Sequence, residues 1–164
     1  MSNDYLIKLF EHNHWANQQI IRACSVLSDE QLDAQPFTTT KGSIRLTLMH
    51  LVQSQRSYLA LLTLPVSERP APSVDFADQE QHERESGQGF IALAKGEIKI
   101  YSSTGLQTKD GYFVDPWVVL LQAINHATEH REQINSMLTA LGFTPPSLDG
   151  WTYGEETKAL TPIQ

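Results

Sequence analysis

Six histidines stand at positions 12, 14, 50, 82, 126 and 130, and the spacing of two of them carries the sharpest chemical signal in the chain. His126 and His130 are four residues apart, so on a helix their imidazoles project from the same side, one turn from each other. Val119, Leu120, Ala123, Ala127, Ile134, Met137, Leu138 and Leu141 recur around them at helical spacing. His130 falls inside that apolar stripe, and His126 lies at its edge near Gln133. Two imidazoles aimed at a core in this way can grip one metal ion in common. They can equally be two neutral, hydrogen-bonded core residues. His50 supplies a third nitrogen: it is the only other histidine in a strongly apolar helical segment, among Leu46, Met49, Leu51 and Val52. Three neutral imidazoles from two facing helices make a site with at least one open position, the pattern of catalytic rather than closed structural metal centres. His12 and His82 sit in polar surroundings and are expected to be solvated. His14, on the flank of the first helical stripe, is a weaker fourth candidate.

Other groups could join such a site. Asn13 and Asn17 fall near the centre of the first helix's apolar stripe, and Gln133 lies one turn past the histidine pair. A buried amide without partners costs about 1–3 kcal/mol, so each is expected to line a polar cavity, to hold a histidine ring or a substrate, or to bond a neighbouring helix or a bound water. His126-Ala-Thr-Glu129-His130 also reads as H-x-x-E-H, the inverted zincin motif with glutamate as base. Glu129 points about 100° away from His130 on a helix, and those proteases need a further acidic ligand well downstream; a solvated glutamate is the expectation. Arg131 is expected at an interface or in a salt bridge, and Trp15 at a dimer interface or over loops. Cys24 lies on a buried stripe with no cation near it in sequence, which makes it a poor nucleophile.

The elements that must position these residues are four helical segments. The first runs from about Asn3 to Leu27, with Leu6, Phe10, Ile20, Ile21, Cys24 and Leu27 on one face. Ser28 with Gln31 reads as a capping box opening a short turn that Pro36 ends, and residues 38–42 read as loop. The second helix starts at Ser43 as N-cap and ends near Leu64, before an extended stretch from Pro65 to Pro72. Its main stripe is Ile44, Leu48, Leu51, Tyr58 and Leu62. Leu46, Ser57 and Leu61 share a second face with His50, so this helix is expected to be buried on two sides. The third, about Phe76 to Lys95, is polar and interrupted by Gly87 and Gly89. Residues 97–114 change character: Lys109-Asp110-Gly111 between β-rich runs predicts a small hairpin or an extended excursion. The fourth helix, Trp117 to Leu141, has Pro116 at its start and Gly142 at its end. The tail, with Trp151 and Tyr153, is expected to pack as a coil. Together these predict a single all-α domain over residues 1–164, a four-helix bundle.

Composition narrows the function. The chain has 164 residues, 40% hydrophobic and 19% charged, enough apolar material for a core. Twelve basic against nineteen acidic residues give a net charge of −7, and the basic ones are scattered singly, which argues against nucleic-acid binding. One cysteine excludes a disulfide framework and any multi-cysteine metal site. No basic leader with an apolar run opens the sequence and no window is apolar enough to cross a membrane, so a cytoplasmic protein is expected. Nitrogen ligands suit zinc or nickel first, then iron or cobalt, and argue against magnesium or calcium. No glycine-rich phosphate loop is present.

Gly42-Ser-Ile-Arg-Leu-Thr-Leu-Met-His-Leu51 and Asn125-His-Ala-Thr-Glu-His-Arg-Glu-Gln-Ile134 resemble the two signature segments of the DinB-like superfamily of metal-binding four-helix proteins. His14-Trp-Ala-Asn17 is similar to that family's opening helix. The resemblance implies a bundle with one crossover connection, often a homodimer, with a divalent metal held by three histidines at the positions of His50, His126 and His130. It further implies small-molecule chemistry: known relatives are thiol-dependent transferases and isomerases using bacillithiol, mycothiol or glutathione, and most have no assigned reaction. Three readings follow. One is a metal-dependent thiol S-transferase or hydrolase acting on a small molecule. Another is a metal-holding bundle that senses or sequesters without turnover. The last is a metal-free interaction protein with three core histidines.

Overall fold

Helix-starting and helix-stopping residues mark most of the element boundaries. In the computed structural model, which describes residues 4–36, 41–71, 75–102 and 104–163, α1 (Asp4–Cys24) is followed by the short α2 (Asp29–Asp33), whose start carries a full capping box between Ser28 and Gln31. α3 (Ile44–Thr63) opens with the Ser43 hydroxyl accepting from the Leu46 amide. A single 3-10 turn, Val66–Glu68, interrupts the stretch expected to be extended after Pro65. Positions 38–40 of the expected loop, and position 72, lie outside the described residues.

α4 (Gln79–Lys95) ends in a left-handed Gly96 (φ 78°), whose amide caps the carbonyls of Ala92 and Leu93. The excursion is a two-stranded antiparallel hairpin, β1 (Leu106–Gln107) and β2 (Phe113–Val114), with Leu106 opposite Val114. Residues 98–101 of the expected excursion form no strand; the Tyr101 amide instead donates to the Leu62 carbonyl at 2.8 Å. α5 (Pro116–Ala140) begins on its proline, and past its end Gly142 takes φ 84° while the Phe143 amide returns to the Leu138 carbonyl at 2.9 Å. The tail is not all coil. Asp149 accepts from the amides of Trp151 and Thr152 and starts α6 (Gly150–Glu156), a local cap that nucleates a turn too short to show periodicity.

α1 packs on α4 and α5, and α3 packs on the same two, so α1 and α3 face each other diagonally across a four-helix bundle with a crossover. The interior has two apolar clusters. Ile20, Ile21, Ile44, Leu48, Ile134 and Met137 belong to one, while Phe10, Leu62, Phe90, Leu106 and Val119 belong to the other. Between them along the helices lie buried polar residues, Asn13 and Asn17 on α1, Gln55 on α3, Glu83 and Ser86 on α4, and His130 and Arg131 on α5. The second face of α3 is covered only in part: Leu46 is 49% exposed and Ser57 is exposed, while His50 meets α5 and Leu61 packs against the second apolar cluster.

Candidate metal centre

Facing helices α3 and α5 bring His50, His126 and His130 together. His50 Nε2 lies 3.0 Å from His126 Nε2, and His130 Nε2 lies 3.2 Å from the same atom. One ligand atom from each residue falls within 4.8 Å of the others, the only such group of three among the described residues. His130 meets the other two rings edge to face and His50 is tilted against His126, with centroids 4.4 to 4.9 Å apart. Tyr58 closes one side with its ring edge-on to His126 at 5.6 Å.

The protonation chemistry follows from partners and burial. His130, 5% exposed, sets its Nδ1 2.8 Å from Gln133 Oε1. An amide oxygen can only accept, so the Nδ1 carries the hydrogen and the Nε2 lone pair is turned toward the other two rings. Burial, then the charges of Lys41 and His130, push His50 down to about 4. Burial followed by the charges of His130, His50 and Lys41 pushes His126 to about 4 as well. Both rings are therefore neutral at neutral pH, with lone pairs available. Three converging acceptor nitrogens cannot satisfy one another through the single hydrogens they carry, whereas one cation satisfies all three. The donor set therefore fits a divalent transition metal with nitrogen preference.

The remaining candidates go elsewhere. His14 Nδ1 pairs with Glu83 Oε1 at 3.0 Å, and its Nε2 lies 3.2 Å from Gln18 Nε2, so it stays outside the cluster. His12 is not solvated: its Nε2 donates to the Leu148 carbonyl at 2.8 Å, and its ring packs against Trp15 and Tyr153. His82 is also partly buried, with Nδ1 3.6 Å from Glu85. Trp15 covers the tail, donating to Glu156 at 2.8 Å. Glu129 is exposed, as its direction on the helix predicted. Burial pushes the Cys24 thiol up to about 12, which removes it as a nucleophile.

Arg131 overturns its expectation. It is 3% exposed, and its Nη1 donates to Asn13 Oδ1 at 2.8 Å and Asn17 Oδ1 at 2.6 Å, while Nη2 donates to Thr128 at 2.9 Å. Burial lowers its pKa to about 10, opposed by the charges of Glu132 and Glu83. The two asparagines thus hold an arginine rather than a histidine ring. Their amide nitrogens donate to Gln55 Oε1, and Gln55 Nε2 donates on to Ser86 at 2.9 Å and Glu83 at 3.4 Å. Glu83 and Gln55 were missed in the sequence. Their signal was helical spacing: Gln55 continues the stripe of Leu48, Leu51 and Val52, and Glu83 stands one turn before Gly87 and two before Phe90.

A family model for the DinB family matches residues 1–161. The protein DinB of Bacillus subtilis is 24% identical over 168 residues, covering 95% of this chain and 97% of that protein. A crystal structure assigned to the DinB family, from Exiguobacterium sibiricum, superposes with a TM-score of 0.69 at 20% identity, over 90% of this chain and 97% of that one. That likeness is one of fold.

Proposed function

The chain belongs to the DinB family, and from that premise we propose that His50, His126 and His130 hold one divalent transition metal in an enzyme acting on a small molecule. The convergence of three Nε2 atoms, with the His130 tautomer fixed by Gln133, is the observation that carries this reading. A metal held there, zinc or nickel first and iron or cobalt next, supplies Lewis acidity that lowers the pKa of a water or thiol reaching it. The protein's part is to keep His50 and His126 neutral, to fix the His130 ring through Gln133, and to leave the site approachable past the exposed Leu46 of α3.

The two reactions this supports are thiol S-transfer and hydrolysis, in a detoxification or stress role. The buried Cys24 leaves any thiol to come from outside, so a low-molecular-weight thiol is the proposed cosubstrate. Large apolar side chains left exposed at Phe113, Trp117 and Leu121 support a homodimer. No helix is long and apolar enough to cross a membrane; a cytoplasmic location belongs to the same proposal. A metal-binding or sensing bundle without turnover is the second reading. It is favoured by the absence, among the described residues, of a carboxylate joining the three ligand atoms.

Elemental analysis of untagged wild type beside His126→Ala is the test. About one metal ion per chain, lost in the variant while helix content persists, is the expected result for a three-histidine site. Wild type that stays empty after supplementation overturns the metal reading. Metal-dependent consumption of thiol conjugates or esters by the loaded protein then separates the enzyme from the binding module.

A further inference from the structure

Away from the imidazoles, a cavity of about 200 Å³ opens between the C-terminal half of α3 and the hairpin. Ser57, Ala60 and Leu61 of α3 line it, together with Arg69, Thr108 and Lys109. Two side chains in that lining are cations and none is an acid. Arg69 is held in place by neutral acceptors: its Nε donates to the Leu64 carbonyl at 3.0 Å and its Nη1 to the Gln107 carbonyl at 2.6 Å. Neither Arg69 nor Lys109 forms an ion pair among the described residues. Burial holds the Arg69 guanidinium below its ordinary pKa, with only the Tyr101 hydroxyl acting against it.

In a chain of net charge −7, an arginine fixed by backbone and turned with a lysine toward one cavity, without a counter-charge, is chemically incomplete. A partly desolvated cation is stabilised by an anion that reaches it, and a guanidinium with N–H groups to spare matches the paired oxygens of a carboxylate or phosphate. The fixed geometry removes part of the ordering cost of binding. We propose that this cavity is a binding site for the carboxylate or phosphate group of a small molecule, clamped by Arg69 and closed by Lys109. Ser57 lies two helical turns, about 10 Å, beyond His50 on the same face of α3. The anion pocket and the imidazole cluster thus open on one side of the bundle. The inference stands without the metal, because none of the pocket's residues belongs to the cluster.

The test is an amide NMR titration of the full chain, stripped of metal by a chelator, with inorganic phosphate and separately with succinate. Sodium chloride holds ionic strength constant. The expected result is saturable shifts concentrated at Ser57, Ala60, Leu61 and Thr108. Lys109→Ala should weaken binding by about fivefold, and Lys109→Glu should abolish it. Arg69→Leu also removes one bond to the end of α3 at Leu64 and one to the hairpin at Gln107, so the exposed Lys109 variants decide the matter if that protein unfolds. A response to phosphate alone or to succinate alone supports the site and names the anionic group. Shifts that do not saturate, that scatter over the surface, or that persist undiminished in Lys109→Glu overturn the proposal.

Discussion

At His130 the Nδ1 hydrogen goes to Gln133 Oε1, 2.8 Å away, and this single bond decides which nitrogen faces His126 and His50. Gln133→Leu should leave the fold intact and lower metal affinity by about 10- to 100-fold, the usual effect of losing a partner that orients a ligand. A competition titration against a chromophoric chelator checks it, and unchanged affinity would show that packing alone orients the ring. The neutral rings also tie stability to pH. His50 and His126 titrate near 4 in the folded metal-free protein and near 6.5 once unfolded, so the unfolded chain takes up protons first on acidification. Their contribution is fully present above about pH 6.5 and is lost as pH falls toward about 4. The urea midpoint of metal-free wild type should therefore drop between pH 6.5 and 5 more steeply than that of His126→Gln; parallel curves would refute the linkage. The meeting of the three histidines was legible in the sequence, since i, i+4 spacing and an apolar stripe place two imidazoles, and His50 is the only other histidine in a strongly apolar helix. Arg131 and Glu83 were not. A charged residue in a helix reads as solvated or paired at a surface unless its partners are known, and those partners come from two other helices, α1 and α3.

At the scale of the element, α4 shows why a helix poor in apolar residues and broken by glycines still forms. Glycine in a helix interior costs about 1 kcal/mol against alanine. At Gly87 a methyl group would fall on the imidazole of His14, and at Gly89 on the Leu59 side chain, so the glycines let α4 lie close against α1 and α3. The sign of the usual substitution should reverse. Gly87→Ala, stabilising in an open helix, is expected to destabilise by about 1–3 kcal/mol through overpacking and loss of the His14–Glu83 pair. Urea denaturation of the variant decides it, a raised midpoint being the outcome that contradicts the close fit. Capping residues made the other boundaries readable: Ser28, Ser43, Pro116 and Gly142 all act as their types predict. The start of β1 and the existence of α6 escaped because one follows a long-range bond, from Tyr101 to Leu62, and the other rests on a local cap at Asp149, neither announced by a periodic pattern. The second face of α3 is only partly covered, Leu46 standing open to solvent while Leu61 packs inward.

Across the whole molecule, the interior is apolar at both ends and polar in the middle. Arg131, Asn13, Asn17, Gln55, Ser86 and Glu83 form a continuous bonded layer that joins all four main helices between the two apolar clusters. Such a layer penalises any register in which its members do not meet, so it selects one arrangement of the helices. Arg131→Leu removes the donor to both asparagines and leaves their oxygens buried. A loss of about 3–5 kcal/mol is expected, read as a fall in melting temperature of about 2–4 °C for each kcal/mol. A melting temperature within a degree of wild type would mean that the layer adds little to stability. The partly covered side of α3 has a further consequence, for protein engineering. Leu46, one turn before His50, and Ser57, two turns after it, are exposed, while Leu48, Leu51 and Val52 on the opposite face are buried in the core. Surface positions of this kind tolerate substitution within about 0.5 kcal/mol. A combinatorial library confined to residues 46 and 57 would thus vary the approach to His50 and the wall of the neighbouring cavity on an unchanged scaffold.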